Sequence, residues 1–302
     1  MIPQRYALKP PLPVIEGVGP SYQWLPKGAW NTVFDFLRER FPNVEAEAWL
    51  SRMAKGEVVD EKGLRLNSES RYRAGACIFY YRELESETKI PFAESIIYQD
   101  EHLLVADKPH FLPVIPSGKF LHETLLTRLR KKTNLEQLVP LHRIDRDTAG
   151  IVLFSVNPET RGLYAALFND RRVKKVYEAV AGNLTELNFP LTRGSRIVAG
   201  EPFFRMKEVE GEPNSETNIV EFRKMNDVSL YRLDAVTGKK HQIRLHLAAL
   251  GIPIVNDKFY PEIKRVADDF STPLKLLAKS VCFKDPLTGE ERFFESGRKL
   301  YD

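Results

Sequence analysis

The sequence predicts an α+β fold. A larger domain, residues 91–302, is built on a mixed, mostly antiparallel β-sheet with flanking helices, and a small N-terminal α/β module with its arm covers 1–90. Three observations lead there. A length of 302 residues suggests about two domains. Strand-like and helix-like segments mix without the regular alternation that builds a parallel βαβ sheet. All three Trp, at 24, 30 and 49, fall in the first part, which implies a small core of its own.

Residues 1–29 carry Pro3, Pro10, Pro11, Pro13, Gly17, Gly19, Pro20, Pro26 and Gly28, and read as an extended arm. From Asn31, Val33, Phe34, Leu37 and Phe41 recur with helical spacing. A second helix over 45–55 places Trp49 and Met53 four apart, and Gly56 stands where it stops. Short strands follow at 57–59, 64–66 and 76–81, and Glu83, Glu85 and Glu87 form an acidic linker. The second part opens with a hairpin, 96–98 and 103–106, around Gln99-Asp100-Glu101. A helix is expected over 122–131 and a strongly apolar strand over 149–156. Asn157-Pro158 is a good cap pair for a helix with Leu163, Ala166 and Leu167 inside. Residues 173–181 and 230–236 read as strands, and 241–250 as a helix closed by Gly251.

Composition excludes several classes. With 43% hydrophobic and 28% charged residues the chain supports a packed core. No apolar run approaches the ~18 residues of a membrane span, and residues 1–10 lack the apolar stretch of a secretion signal. Asn183-Leu184-Thr185 is a glycosylation sequon by letter only. Cys77 and Cys282 give no disulfide framework or metal spacing and read as two buried thiols of a cytoplasmic protein. Net charge is +4, spread as +1 over 1–90 and +3 over 91–302. Basic clusters at Arg128 to Lys132, Arg171 to Lys175 and Lys239 to Arg244 suit nucleic acid without demonstrating it.

Three segments carry chemistry. His142-Arg143-Ile144-Asp145-Arg146-Asp147-Thr148-Ala149-Gly150 packs charges before an apolar strand, so they must be paired or face a cleft. A structural salt-bridge loop and a carboxylate site explain this equally well. In Lys175-Val176-Tyr177-Glu178-Ala179, strand alternation puts Tyr177 on the face of Ala179 and Ala181, as a stacking platform or a core residue. Thr237-Gly238-Lys239-Lys240-His241-Gln242-Ile243-Arg244 runs from a strand into a helix with a basic first turn, a setting that suits an anion. Ile243, Leu247 and Leu250 make its core stripe; Arg244 beside them is half-buried and wants a carboxylate partner.

Together with Asp107-Lys108-Pro109, these segments in this order resemble the RluA family of pseudouridine synthases over about residues 92–260. Departures are small: Ile144 stands for the commoner Leu, Ala149 for Ser, Lys239 for Arg, and His110-Phe111 follow Lys108-Pro109 where the family often has a small residue and Gly. The resemblance implies conversion of uridine to pseudouridine in ribosomal or transfer RNA, with neither metal nor organic cofactor. It implies Asp145 as the essential carboxylate, Tyr177 against the target base and Arg244 paired with Asp145. Lys108, His142, Arg143, His241 and Ile243 are expected to bind substrate. The two helices and hairpin of 31–82 resemble, more distantly, an RNA-binding module of ribosomal proteins; a cap packed on the catalytic domain is the alternative. A cytoplasmic monomer with RNA as partner and no membrane contact is expected.

Competing readings fare worse. A non-catalytic RNA-binding factor would be expected to have lost one of Asp145, Tyr177 and Arg244. A metal hydrolase would need better spacing than His241 and His246, five apart with no Glu between them. A retaining glycosidase built on Asp145 and Asp147, which would need its two carboxyl groups about 5–5.5 Å apart on either side of a glycosidic bond, is also disfavoured.

Overall fold

The computed structural model describes residues 10–184, 186–264 and 269–301, so residues 1–9 of the arm and Thr185 of the sequon lie outside it. The chain divides into two compact units: 1–87 with 116–122 and 127–136, and 88–115 with 123–126 and 137–302.

In the first unit the arm contributes a strand, β1 (Ser21–Trp24). Helices α1 (Val33–Arg40) and α2 (Ala46–Ala54) follow, then β2 (Val58–Asp60) and β3 (Cys77–Tyr80). The sheet order is β1-β3-β2. The arm is therefore not simply extended, because its backbone completes the open edge of β3 in antiparallel register, Ser21 opposite Tyr80. Thr32 caps α1 in a reciprocal box with Asp35. Leu37, Trp49, Val58 and Ile78 bury a core between helices and sheet. The strand expected at 64–66 shrinks to a single antiparallel bridge, Arg65 opposite Val59. Asp60 accepts the N–H groups of Lys62 and Leu64, which folds the chain into a turn and leaves Leu64 exposed. Glu87 of the acidic linker has a structural task, its carboxylate accepting the backbone N–H groups of Leu121 and His122.

The second unit holds an 11-stranded sheet. Its elements are β4 (Ser95–Gln99), β5 (Leu103–Lys108), α3 (Leu125–Thr133), β6 (Val139–Pro140), β7 (Ala149–Ser155), α4 (Arg161–Asn169) and β8 (Lys174–Gly182). Then come β9 (Leu191–Ala199), β10 (Met206–Val209), β11 (Ser215–Lys224), β12 (Val228–Ala235), α5 (Gln242–Ala249), β13 (Leu276–Lys284) and β14 (Glu291–Glu295). Of α3, only Leu125 and Leu126 belong to this unit, and the rest belongs to the first. The main strand order is β10-β9-β11-β12-β8-β13-β7-β5-β4, with β14 on β13 and β6 on β7. Among the described residues only the β7–β13 pairing is parallel, so the sheet is mixed and mostly antiparallel as expected. One apolar cluster joins Ala179, Ala181, Leu233 and Leu276 to Ile243 and Leu247 of α5; another joins Leu103, Ile151 and Val281 to Tyr164 and Leu167 of α4.

Several local expectations shift. The sequence reading assigns nothing to 183–229 except the sequon at Asn183, and no element after Gly251; the structure puts β9, β10, β11, β13 and β14 there. Helix α4 starts at Arg161, because Asn157 instead accepts the N–H of Glu159 in a tight turn. Tyr164 and Leu167, not Leu163, form its buried face, and Leu163 is exposed. Both cysteines are free, but only Cys77 is buried. Among the described residues no helix is long and apolar enough to cross a membrane.

Candidate active site

The loop between β6 and β7 carries Asp145, and buried groups pin its backbone. The Thr148 N–H closes a turn on the Asp145 carbonyl at 3.2 Å. Lys108, fully buried at the end of β5, donates from Nζ to the carbonyls of Pro109, Leu112 and Arg146 at 2.7–2.9 Å. Burial pushes its ammonium down to about 7 against the opposing charges of Asp147 and Asp145. Three carbonyls nevertheless match the three N–H groups of the charged form. His110 holds the next carbonyl, that of Asp147, through Nδ1 at 2.7 Å. Gly150 then enters β7 with φ of +114°, and a Cβ there would stand 2.1 Å from the Ala278 carbonyl oxygen. Only glycine allows β7 to approach β13 this closely.

The second part of the site comes from the turn into α5. Gln242 gathers that turn, accepting from Thr237 Oγ1 at 2.6 Å and the Lys239 N–H, and donating to the Glu216 carbonyl and Thr217 Oγ1. His241 sits at the N-cap with φ of +56°. One turn into the helix, Arg244 is 2% exposed, so it is buried rather than half-buried. The reason is a partner that sequence reasoning missed. Asp257 takes Nε at 2.8 Å and Nη2 at 2.7 Å, a bidentate pair with both side chains buried. The Phe259 and Tyr260 rings lie 4.9 and 5.5 Å from the guanidinium. Backbone N–H groups of Phe259 and Tyr260 also cap the Asp257 carboxylate. Burial alone would lower the Arg244 pKa, but the bonds and charge of Asp257 reverse this and raise it.

Arg244 is thereby a fixed cation with one edge left over. Its Nη1 stands 3.4 Å from Asp145 Oδ2, and His241 Nε2 is 3.8 Å from the same oxygen. The Asp145 side chain is 25% exposed, open on one side and faced by a buried cation on the other. Burial pushes His241 down to about 4 despite Asp145, leaving a neutral ring at pH 7 whose Nδ1 bonds the Tyr260 hydroxyl. Tyr177, on β8, belongs to the face of Ala179 and Ala181. Burial and then the nearby Asp145 charge raise its phenol pKa, so it stays a neutral aromatic.

The structure thus brings Asp145, Arg244, His241 and Tyr177 together. Other residues expected to bind substrate are placed differently. Lys108 spends its donors on the loop backbone. His142 accepts the Leu153 N–H at Nε2 and stacks on Phe168, with burial pushing its pKa down to about 3. Ile243 belongs to the core under the helix, 6% exposed. Each has been drawn inward because an adjacent strand or loop supplies backbone groups or apolar surface that needs it. Arg143, two residues before Asp145 in sequence, is the exposed member of this group. His246 bonds Ser195, Ser215 and Thr217 in the interior, away from a shared site with His241. Among the described residues no three His, Cys, Asp or Glu side chains gather as a metal site requires. A buried arginine demanding a carboxylate was the available signal for Asp257, but nothing local chose it over Asp145.

Residues 102–249 match the family model of RNA pseudouridylate synthases. An uncharacterized RNA pseudouridine synthase of Synechocystis sp. is 29% identical, over 76% of this chain and 79% of its own length. The dual-specificity RNA pseudouridine synthase RluA of Haemophilus influenzae is 33% identical, over 67% of this chain and 91% of its own. The solved structure of human RNA pseudouridylate synthase domain containing 1 matches with a TM-score of 0.57 and 24% identity, over 70% of this chain and 86% of that one, a likeness of fold.

Proposed function

The chain belongs to the RluA-type RNA pseudouridine synthases, enzymes that isomerise uridine to pseudouridine in RNA, and we propose that Asp145 is the carboxylate through which it does so. The observation that carries this is the partly exposed Asp145 facing a cation that Asp257 holds in place. The isomerisation breaks the N1–C1′ bond, rotates the uracil and joins C5 to C1′; C5 then gives up its proton and N1 gains one. Attack on C1′, attack on the base and removal of the 2′ proton all use Asp145 as a carboxylate, and Arg244 Nη1 stands 3.4 Å from its Oδ2. The target uridine must leave its stack at a cost of a few kcal/mol. The neutral ring of Tyr177 offers an aromatic face that returns about 1–3 kcal/mol.

The substrates are specific uridines of structured ribosomal or transfer RNA, a reading supported by relatives named as dual-specificity synthases. No metal or organic cofactor takes part, and the enzyme works as a cytoplasmic monomer. Residues 1–90 help hold the RNA, whereas 91–302 perform the chemistry; every matched catalytic motif lies after residue 100. RNA tritiated at uridine C5 should lose label to solvent with the native enzyme and keep it with Asp145→Ala or Asp145→Asn. Substantial release by Asp145→Asn would overturn the assignment. Mapping pseudouridines in total RNA with and without the gene identifies the target.

A further inference from the structure

An aromatic path leaves the active site and ends in solvent. The His241 ring, whose Nε2 is 3.8 Å from Asp145, stacks on Phe259 with centroids 5.8 Å apart and planes 29° apart. Phe259 meets Phe204 at 5.0 Å, and Phe204 meets Phe203 at 5.6 Å. Phe203 is 89% exposed, the most exposed of the large apolar side chains described. Leaving a phenylalanine in water gives up the roughly 1.5–3 kcal/mol that burial would supply, so nothing in the folding of this chain calls for it there.

The segment that displays Phe203, between β9 and β10, is held firmly. Backbone bonds from Gly200 to Arg205 and from Arg205 to Pro202 close it. Arg205 lies 4.9 Å over the Tyr260 ring and donates to the Pro261 carbonyl at 2.8 Å. The Met206 N–H donates to the Tyr260 hydroxyl at 2.8 Å. Asp257 to Pro261 is the same stretch that fixes Arg244, so one small scaffold sets both the catalytic ion pair and the exposed ring. Immediately before His241, Lys239 and Lys240 are exposed and add positive charge at the base of this path. An exposed aromatic face beside cations is how proteins hold single-stranded bases.

We propose that Phe203 is a stacking platform for an unpaired nucleotide flanking the target uridine, so that it selects RNA by the looseness of the neighbouring base. This rests on the synthase reading above, and the substrate is the occupant because the path is continuous with Asp145. Loss of one stacked base corresponds to about 1–3 kcal/mol, a fall in kcat/KM of roughly 5- to 150-fold. Ribosomal and transfer RNA tritiated at uridine C5 serve as probes. Phe203→Ala and Phe203→Leu should show that fall through KM with kcat held, whereas Phe203→Tyr and Phe203→Trp keep native values. Melting temperature should not move, and the salt dependence of binding should keep its slope, since no phosphate contact is lost. Fluorescence of the Phe203→Trp variant should be quenched by RNA beyond any change in the native protein, a readout independent of turnover. Native kinetics in Phe203→Leu, or no added quenching in Phe203→Trp, overturns the platform. If label is then still released by the native enzyme and not by Asp145→Asn, the synthase reading stands without it. Loss of self-association in Phe203→Leu with unchanged RNA kinetics would instead make the ring a contact between copies of the chain, and also overturns the proposal.

Discussion

Removing either partner of the Arg244–Asp257 pair strands a buried charge. Breaking such a pair costs about 3–5 kcal/mol, far more than the pair's net worth against an apolar substitute. Asp257→Asn is therefore expected to lower stability by that order and to cut turnover, because Arg244 is no longer held on its far side. Arg244→Lys is expected to do nearly the same, since an ammonium cannot reproduce the two-pronged contact. Arg143→Ala makes the opposite pattern: the side chain is exposed, so the melting temperature should hold while the salt slope of RNA binding drops by about one. Chemical denaturation and RNA titration at several salt concentrations check all three. Equal stability in Asp257→Asn and the native protein would mean Asp145 alone suffices for Arg244.

At the scale of elements, close backbone contact joins the side-chain ties of Lys108 and His110 in fixing the sheet to the catalytic loop. Gly150 lets β7 run beside β13, with Ala149 opposite Leu277 and Gly150 opposite Ala278. In Gly150→Ala the new methyl must displace the Ala278 backbone from 2.1 Å, at a φ of +114° that L-residues avoid. We expect a loss above ~3 kcal/mol, or failure to accumulate folded protein, read by thermal melting. A variant that melts with the native protein would show that the two strands separate freely. The turn into α5 works similarly, with Gln242 replacing missing ladder bonds through its amide. Elements with period-two or period-3.6 patterns were legible, as β7 and α5 show. β9 to β11 were not, because polar Ser195, Ser215 and Thr217 take buried positions while Val209, Val220 and Phe222 are exposed, which breaks the apolar alternation.

For the whole molecule, four of the six histidines share one property. Burial is the first cause pushing His110, His241 and His246 down to about 4 and His142 to about 3, from an ordinary 6.5. The unfolded chain therefore binds more protons than the folded one between these values and 6.5, and stability rises with pH through that window. Acidification from pH 7 toward 4 should lower the melting temperature more steeply than a single histidine explains. Melting curves at half-unit pH steps test this, and a flat profile between pH 6.5 and 5 would refute it. His246→Gln, which keeps a polar side chain among Ser195, Ser215 and Thr217, should make the slope shallower by up to one proton.

The sequence by itself singled out the side chains proposed to carry the chemistry and roughly which elements bear them. Asp145, Tyr177 and Arg244 stand in short ordered segments, and local periodicity assigns those segments to loop, strand and helix. Tertiary structure decided which polar groups meet. Arg244 chooses between a carboxylate 99 residues before it and one 13 residues after it, and takes the nearer in sequence as its tight partner. Lys108 and His142, charged or polar by letter, are turned to backbone carbonyls and amides that exist only once β5 and β7 are paired. Phe203 is an ordinary apolar letter until the β9–β10 hairpin lifts it into solvent at the end of three ring contacts. Periodicity is a property of neighbours along the chain, whereas burial, pairing and charge compensation depend on segments brought together from far apart.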